Sequence, residues 1–347
     1  MIKKICLKDI AEKVGVSTAL VSYVLNNKKE GRIKKSVAQR IREVAMELNY
    51  HTNQIAKSLK TSKTFTIGLI VADISNPFSS SLARIIEDEA DKNNYTVIFG
   101  SSDESLLRSN KLVDTFLNRQ VDGLIIAPGE DAASQIFSLR QQRIPFVLVD
   151  RYFPDIKTNY VALDNYKASC SAIQHLVNCG FKRIGMISLN TPLFNIQERK
   201  RGYIDALQNS GINFDKRRLI EIDYDNDKME TSVKNAINIL LAPGHPIDAL
   251  LFATNAIATH GLRHINALQI KVPESLALAT FDKTDALDLF YAPITYINQP
   301  LQEMGRLATK ILLEAIEGNT SITQLNLPAE LVIRSSTVMD KKYLPAI

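Results

Sequence analysis

The sequence lacks the features that mark exported, membrane-spanning or disulfide-linked proteins. No apolar run approaches the roughly 20 residues that a helix needs to cross a bilayer. The amino terminus, MIKKICLKDIAEK, has neither an apolar core segment nor a small-residue cleavage site, so we expect a cytoplasmic protein. Cys6, Cys170 and Cys179 are odd in number and lack metal-ligand spacing, and we interpret them as reduced structural thiols.

Signals for catalysis are also missing. The chain has only 14 glycines, with no GxGxxG phosphate loop and no nucleophile elbow. The five histidines do not pair with cysteine, serine or acidic neighbours, and His260 and His264 lack the HExxH frame of a metal site. The sequence therefore predicts neither an enzyme nor a metal or cofactor site.

What the chain does contain is a strong asymmetry of charge. Its 347 residues are 45% apolar and 23% charged, as expected for two or three soluble domains. Residues 1–63 hold 14 lysines and arginines against five acids, whereas the remainder holds 28 against 32. Because phosphate contacts dominate DNA affinity, a basic head on a mildly acidic body suits a protein that binds nucleic acid.

A helix-turn-helix pattern lies within residues 7–27. Apolar residues recur at helical spacing before Gly15, which supplies a turn, and Ser17 is a suitable N-cap for a second helix. In this motif the second helix enters the DNA major groove. A third helix, predicted over about 36–48, closes a small core. The alternative is an ordinary helical hairpin packed on a larger domain, and the basic surroundings argue against it.

Residues 51–63 are polar apart from Ile55, Ala56 and Leu59 and could form about two helical turns. A helix this short is marginal in water. We interpret the segment as a hinge that becomes helical on DNA, where Leu59 would act as an apolar wedge in the minor groove. A plain linker is the alternative.

From residue 65 onward, short apolar runs alternate with amphipathic segments of helical period, among them 80–93 and 302–317. Continuous apolar strands alternating with helices predict a parallel sheet covered on both faces. The runs FVLVD and YVALD follow one another without a full helix between them. This change of rhythm predicts two such sheets in tandem.

Polar residues follow the carboxyl ends of several predicted strands, where open α/β sheets bind their ligands. They are Asn76, Phe78, Asp150, Arg151, Asn255, Asp282 and Gln299, with Arg199 just inside a following helix. Carboxylates opposite arginine and amide donors suit a sugar hydroxyl, which both donates and accepts, and an aromatic face suits the C–H side of the ring. Taken singly, each residue is also explained as a strand-end cap or salt bridge. Together they predict a sugar site.

This order of head, hinge and two α/β lobes resembles the LacI/GalR family of bacterial transcription regulators along essentially the whole chain. The matching motifs include LKDIAEKVGVSTALVSYVLNN, NQIAKSLK, TIGLIVADISNPF, VPESLALATFD and ITYINQP. The body is also similar to periplasmic pentose- and hexose-binding proteins. The resemblance implies a small all-α helix-turn-helix head and an α/β periplasmic-binding-protein-like body of two parallel-sheet lobes.

The resulting domain limits are 1–50 for the DNA-binding head, 51–64 for the hinge and 65–347 for the effector-binding and dimerisation domain. In that domain we expect lobe 1 over about 65–162 and 292–324, and lobe 2 over about 163–291 and 325–340.

The resemblance further implies a homodimeric regulator, a repressor, that binds a near-palindromic operator and hinges about a sugar effector. By position, the residues implied to contact DNA are Ser17, Thr18, Ala19, Ser22, Tyr23, Asn26, Leu59 and Lys60. The eight strand-end residues named above match the family positions that hold a monosaccharide. Their retention favours a free monosaccharide, a pentose before a hexose.

Some positions depart from the family pattern. Leu20 and Tyr23 replace the commoner Thr and Arg, so the operator sequence cannot be inferred from those of relatives. Cys6 stands where Thr or Ser usually caps the first helix, and Ser79 leaves more room than the Phe common in ribose-type members. Lys283 follows Asp282 and is a cation that could hold a phosphate, so a sugar phosphate remains an alternative effector. A sugar-binding protein without operator function and a sugar-modifying enzyme are the alternatives from other classes.

Overall fold

The computed structural model describes residues 5–26, 32–50, 63–225, 227–244 and 246–338. The chain divides into two compact units, Met1–Thr64 and Phe65–Ile347. None of the helices in these ranges combines the length and apolarity that a bilayer-spanning segment needs.

Among its described residues, the first unit contains three helices, α1 (Leu7–Val14), α2 (Thr18–Leu25) and α3 (Lys35–Glu47). Gly15 ends α1 with a left-handed φ of 75°, a conformation that glycine adopts at little steric cost. The Ser17 hydroxyl accepts a hydrogen bond from the Leu20 N–H at 3.2 Å and so caps α2. At the start of α1, Asp9 accepts from the Cys6 N–H at 2.7 Å.

The core of this unit is small. Its buried apolar residues are Ile10, Ala11, Val21, Val24, Ile41, Val44 and Ala45. All three helices contribute to it, which confirms the helix-turn-helix head with its third closing helix. So few buried side chains offset only part of the entropy that is lost when a chain folds.

The second unit contains two six-stranded sheets. The first sheet has the order β11-β5-β4-β3-β1-β2 and consists of β1 (Thr66–Val71), β2 (Thr96–Ser101), β3 (Gly123–Ile126), β4 (Phe146–Val149), β5 (Tyr160–Leu163) and β11 (Gln324–Leu327). The second has the order β12-β10-β9-β8-β6-β7 and consists of β6 (Ile184–Leu189), β7 (Leu219–Ile222), β8 (Ala249–Phe252), β9 (Ala277–Phe281), β10 (Thr295–Asn298) and β12 (Glu330–Val332). All pairings are parallel except that of β10 with β12.

Helices connect the strands and cover the sheets. They are α4 (Pro77–Asp91), α5 (Leu106–Asn118), α6 (Ala133–Gln141), α7 (Asn165–Asn178), α8 (Phe194–Asn209), α9 (Met229–Leu240), α10 (Asn255–Ala267), α11 (Ala286–Leu289) and α12 (Leu301–Ile316). The central strands β3, β4, β6, β8 and β9 are buried throughout, as continuous apolar runs require. The predicted fold class is therefore confirmed.

The path of the chain between the lobes differs in one respect from the predicted lobe limits. We expected residues 292–324 in the first lobe, but β10 pairs with β9 in the second sheet, and only α12 returns to pack on the first lobe against α4. Strand β11, which was not predicted, then pairs with β5, and β12 goes back to the second sheet. The half-exposed sequence of β11, QLNL, lacks the apolar run by which the other strands were recognised.

Both sheets use the same strand order, with the first strand of each lobe beside its second and third. In such doubly wound sheets, ligands bind outside the carboxyl ends of the strands, at the point where the order reverses. In the second sheet this point lies between β6 and β8, and in the first between β1 and β3.

Candidate functional site

The second helix of the head has one buried and one exposed side. Val21 and Val24 of α2 are buried in the core. Thr18, Ala19 and Tyr23 are exposed, with Tyr23 at 37%. A helix that packs by one face and is exposed on the other suits a recognition helix in the major groove.

The remaining predicted DNA-contacting residues flank this exposed side or lie outside the described ranges. Ser17 is exposed, and Ser22 and Asn26 are half-buried. The Asn26 side-chain amide donates to the Ser22 carbonyl oxygen at 2.8 Å and so closes the end of α2. Leu59 and Lys60 lie outside the described residues. DNA contact by all eight stays a prediction.

Replacing Tyr23 by alanine should weaken specific operator binding by about 1–3 kcal/mol while leaving non-specific DNA binding unchanged. Base-edge contacts carry sequence preference, whereas phosphate contacts position a protein on any duplex. The resemblance implies that Tyr23 faces base edges, so its loss should affect specific binding alone. Gel shifts with operator and with random duplex measure the two affinities. An equal loss on both duplexes would contradict base readout by Tyr23, and Met46→Ala, an exposed residue on α3, is the control.

In the body, all eight predicted effector residues line one cavity of about 380 Å³ between the two lobes. Asn76 and Phe78 follow β1, and Asp150 and Arg151 follow β4 of the first lobe. From the second lobe, Asn255 begins α10, Asp282 follows β9, Gln299 follows β10, and Arg199 lies on α8. Strand ends thus bring together residues that are far apart in sequence. Their role as effector ligands stays a prediction.

Arg199 is the most enclosed cation of the cavity, with 3% of its surface exposed. Its Nε donates to Asn165 Oδ1 and its Nη1 to the Ala253 carbonyl oxygen, each at 2.7 Å. The guanidinium carbon lies 3.9 Å from the centre of the Phe281 ring. These contacts hold the charged plane in one orientation, and none of them is to a carboxylate.

Arg151 is paired by an acid that the sequence did not single out. Both of its terminal nitrogens donate to the two carboxylate oxygens of Glu104, each at 2.7 Å. Such two-pronged pairs are strong and geometrically specific. Arg151 Nε is buried without a hydrogen-bond partner. Glu104 therefore fixes the orientation of Arg151 and pairs with its charge, and Asp150 Oδ2 lies 3.6 Å from Arg151 Nε.

Two carboxylates occupy equivalent strand ends of the two lobes. Asp150 after β4 and Asp282 after β9 both have left-handed backbone conformations, with φ of 67° and 70°. Non-glycine residues rarely hold this conformation, and such strain clusters at functional sites. Burial raises the pKa of Asp150 to about 6, although Arg151 and Arg199 oppose the shift. Gln299 Nε2 donates to Asp282 Oδ1 at 2.6 Å, and Gln299 Oε1 is buried without a partner.

Two pairs of side chains bridge the lobes beside this cluster. Asn76 and Asn255 exchange hydrogen bonds, with Asn255 Nδ2 donating to Asn76 Oδ1 at 2.8 Å and Asn76 Nδ2 to Asn255 Oδ1 at 3.3 Å. At another point of the cavity wall, the Thr191 hydroxyl donates to Glu130 at 2.6 Å. These contacts join the lobes around the cavity.

The raised pKa of Asp150 predicts a pH dependence of stability. Relative to the ordinary value of 3.8, a folded pKa of about 6 means that the folded body binds this proton more tightly than the unfolded chain. This tighter proton binding contributes about 3 kcal/mol to the free energy of unfolding. The contribution is fully present below pH 4 and is lost as the pH rises through 6. The free energy of unfolding of the ligand-free protein, minus that of Asp150→Asn, should therefore fall between pH 4 and 7. A constant difference would show that Asp150 titrates normally.

Sequence reasoning missed much of the cavity wall. Asp73, which ends the first apolar run, also lines the cavity, and the residues that were missed include Glu104, Glu130, Leu189, Asn190, Thr191, Leu193, Asn195, Ile196, Asp223, Tyr224 and Met229. Several of these follow β6 and β7, so the strand-end rule would have found them had it been applied to those strands. Ser79 and Ala256 line the cavity, whereas Lys283 is exposed and is not among the lining residues.

A helix-turn-helix unit joined in one chain to a two-lobed unit with a polar cavity defines a ligand-responsive DNA-binding regulator. Comparison with known proteins agrees. Residues 6–53 match the model for bacterial regulatory proteins of the lacI family, and residues 173–337 match that for a periplasmic binding protein-like domain.

Several relatives match this chain along most of its length. The chain is 30% identical to the probable HTH-type transcriptional regulator EndR of Paenibacillus polymyxa, over 90% of each chain, and to catabolite control protein A of Priestia megaterium, over 96% of this chain and 99% of the other. It is 27% identical to the ribose operon repressor of Haemophilus influenzae, over 95% of this chain and 98% of the other. The Lac repressor dimer bound to operator and the anti-inducer ONPF superimposes with a TM-score of 0.85 at 22% identity, over 97% and 100% of the two chains.

The chain belongs to the LacI family, which confirms the resemblance drawn from its motifs. It is a DNA-binding transcriptional regulator, and its relatives are regulators rather than enzymes.

Proposed function

We propose that this regulator is a cytoplasmic repressor that binds a near-palindromic operator as a homodimer and responds to an uncharged sugar. In this proposal residues 1–50 read DNA, 51–64 form the hinge, and 65–347 bind the effector and dimerise. Dimers of helix-turn-helix proteins contact two half-sites about one helical turn apart, which is why their operators are near-palindromic.

The observation that carries the sugar proposal is the pattern of donors and acceptors in the cavity. Asp150 and Asp282 supply acceptors, Arg199 supplies oriented donors, and Gln299 Oε1 is a buried acceptor without a partner. Buried polar groups are rarely left unpaired, and a ligand hydroxyl would pair this one. Phe78, half-buried in the cavity wall, offers a flat apolar face to the C–H side of a ring.

The charges of the cavity favour a free sugar over a sugar phosphate. Six carboxylates line it, namely Asp73, Glu104, Glu130, Asp150, Asp223 and Asp282. The only lining cations among the described residues are Arg151 and Arg199, and Glu104 already pairs Arg151. A phosphate would meet net negative charge, whereas neutral hydroxyls donate readily to carboxylates.

The resemblance to ribose-type members favours a pentose before a hexose, and one relative, 27% identical, is named a ribose operon repressor. A thermal-shift screen of free pentoses, free hexoses and their phosphates tests the proposal. At 100 times its Kd, a ligand stabilises the folded protein by about 2.7 kcal/mol. A response to phosphates alone would overturn the uncharged-sugar proposal.

The operator is tested separately. Genomic DNA fragments retained by the full chain should contain a near-palindromic sequence whose binding weakens steeply with salt. Sugar binding without any enriched fragment would favour the alternative of a sugar-binding protein that has no operator function.

A further inference from the structure

One short segment of the second lobe contacts the first lobe at two points. We call residues 191–194, which join β6 to α8, the strap. At one end of the strap, the Thr191 hydroxyl donates to Glu130, in the loop after β3, at 2.6 Å. At the other end, the Phe194 ring meets Tyr152, which follows β4, edge-on, with ring centres 5.2 Å apart and planes at 61°. Both contacts cross from one lobe to the other.

The strap is held in shape by hydrogen bonds within the second lobe. The Thr191 hydroxyl accepts from the Leu193 N–H at 3.2 Å, and Gln197 Nε2 donates to the Thr191 carbonyl oxygen. Thr191 is buried, with 9% of its surface exposed. A segment fixed in this way moves with the second lobe, so its contacts with the first lobe break when the lobes separate.

The first lobe presents a fixed aromatic surface to the strap. The Tyr152 ring stacks on that of Tyr160 in β5, with ring centres 3.8 Å apart and planes 4° from parallel. Asn326 Nδ2, in β11, donates to Tyr160 Oη at 3.3 Å. Edge-to-face ring pairs with centres about 4.5–7 Å apart contribute stability beyond the area that they bury. Phe194 therefore packs on a ring that is itself held in place.

The ring contact lies beside the effector cavity and not in its wall. Within the described part of the chain, the lining residues include Arg151 and Leu193 but neither Tyr152 nor Phe194. A change at either ring therefore weakens the contact between the lobes without removing a contact to an effector.

We propose that the strap holds the two lobes closed on each other, so that an effector touching both lobes has less of the closure to supply. When only a fraction of the molecules is closed, the apparent affinity of such an effector is reduced by that fraction. A contact made by the protein itself raises the closed fraction and with it the affinity for every ligand of the cavity. This role in effector binding rests on the proposed function, whereas the contact between the lobes does not.

Hydrogen exchange of the full chain without added ligand tests the strap. Loss of the ring contact should separate the lobes more often and speed amide exchange where they meet. In Tyr152→Leu, a change in the first lobe, exchange of residues 190–197 in the second lobe should rise about threefold to tenfold. In Phe194→Leu, the same rise is expected in residues 150–156 of the first lobe. Each variant is thus measured in a segment whose sequence it leaves unchanged.

Phe214→Leu is the matched control, because Phe214 packs edge-on to Tyr203 within the second lobe, with ring centres 6.1 Å apart. Exchange in both segments should stay at the wild-type rate in this variant. The double variant Tyr152→Leu/Phe194→Leu should exchange within about twofold of the single variants, because both remove one shared contact. Unchanged exchange in the two single variants, or an equal rise in the control, would overturn the proposal.

Calorimetry with D-ribose and D-glucose tests the consequence for the effector. A sugar that binds the wild-type protein should bind each ring variant about threefold to tenfold more weakly, and by the same factor where both sugars bind. Unchanged affinity, or different factors for the two sugars, would refute the role of the strap in effector binding. If the wild-type protein binds neither these nor the other sugars of the wider screen, the proposed sugar fails, and exchange of the ligand-free protein still decides whether the strap holds the lobes.

Discussion

Replacement of Arg199 by alanine is expected to abolish the response to effector while operator binding persists. The guanidinium is held by Asn165 and the Ala253 carbonyl oxygen and is attracted by the carboxylates of Asp282 and Asp150. Its removal takes away charge-assisted donors, each worth about 1.5–3 kcal/mol, so effector affinity should fall at least about 100-fold. Gel shifts with and without effector, together with calorimetry, measure both effects.

Arg201→Ala is the matched control. It lies on the same helix, is half-exposed, pairs with Glu198 and stacks on the Tyr166 ring. We expect wild-type affinity and response from it. An Arg199→Ala protein that still responds to effector would refute the assigned role, and one that also fails to bind operator would indicate a folding defect rather than a lost ligand contact.

Ile41→Ala is expected to abolish operator binding while effector binding continues. Ile41 is fully buried in a head whose core, in the part of the chain that the structure describes, contains seven buried apolar residues. Truncating a buried isoleucine costs about 2–5 kcal/mol, a large share of the stability that so small a core supplies. Gel shifts report the head, and thermal shift with effector reports the body, which forms a separate compact unit.

The conservative variant Ile41→Val should cost about 0.5–1.5 kcal/mol and retain operator binding at low temperature. Normal operator binding by Ile41→Ala would show that the head is more stable than its core implies. Simultaneous loss of effector binding would show instead that the two units do not fold independently.

Most of the body's strands were predictable because buried parallel strands are continuous apolar runs, as in β3 and β4. Two features were not predicted, and each has its own physical reason. Strand β11 is half-exposed at the edge of the first sheet and has the alternating sequence QLNL, so no apolar run marked it. The lobe limits near β10 were displaced because strand pairing depends on the path of the chain in space, which order along the sequence does not specify.

Two properties of the protein could be read from the sequence alone. The spacing of apolar residues predicted the helix-turn-helix head and the two-sheet body, because each secondary structure must bury one face. The basic charge of residues 1–63 supported the assignment of the head. The positions of the eight cavity residues after strand ends predicted that they share one site, because the carboxyl ends of parallel strands lie at one edge of the sheet.

Only the tertiary structure decided how the polar residues are paired. Glu104 and Arg151 are 47 residues apart, and Thr191 and Glu130 are 61 apart. Whether such groups meet depends on distances of a few tenths of an ångström between side chains. The same holds for the burial that raises the pKa of Asp150, since it depends on atoms that several segments bring together.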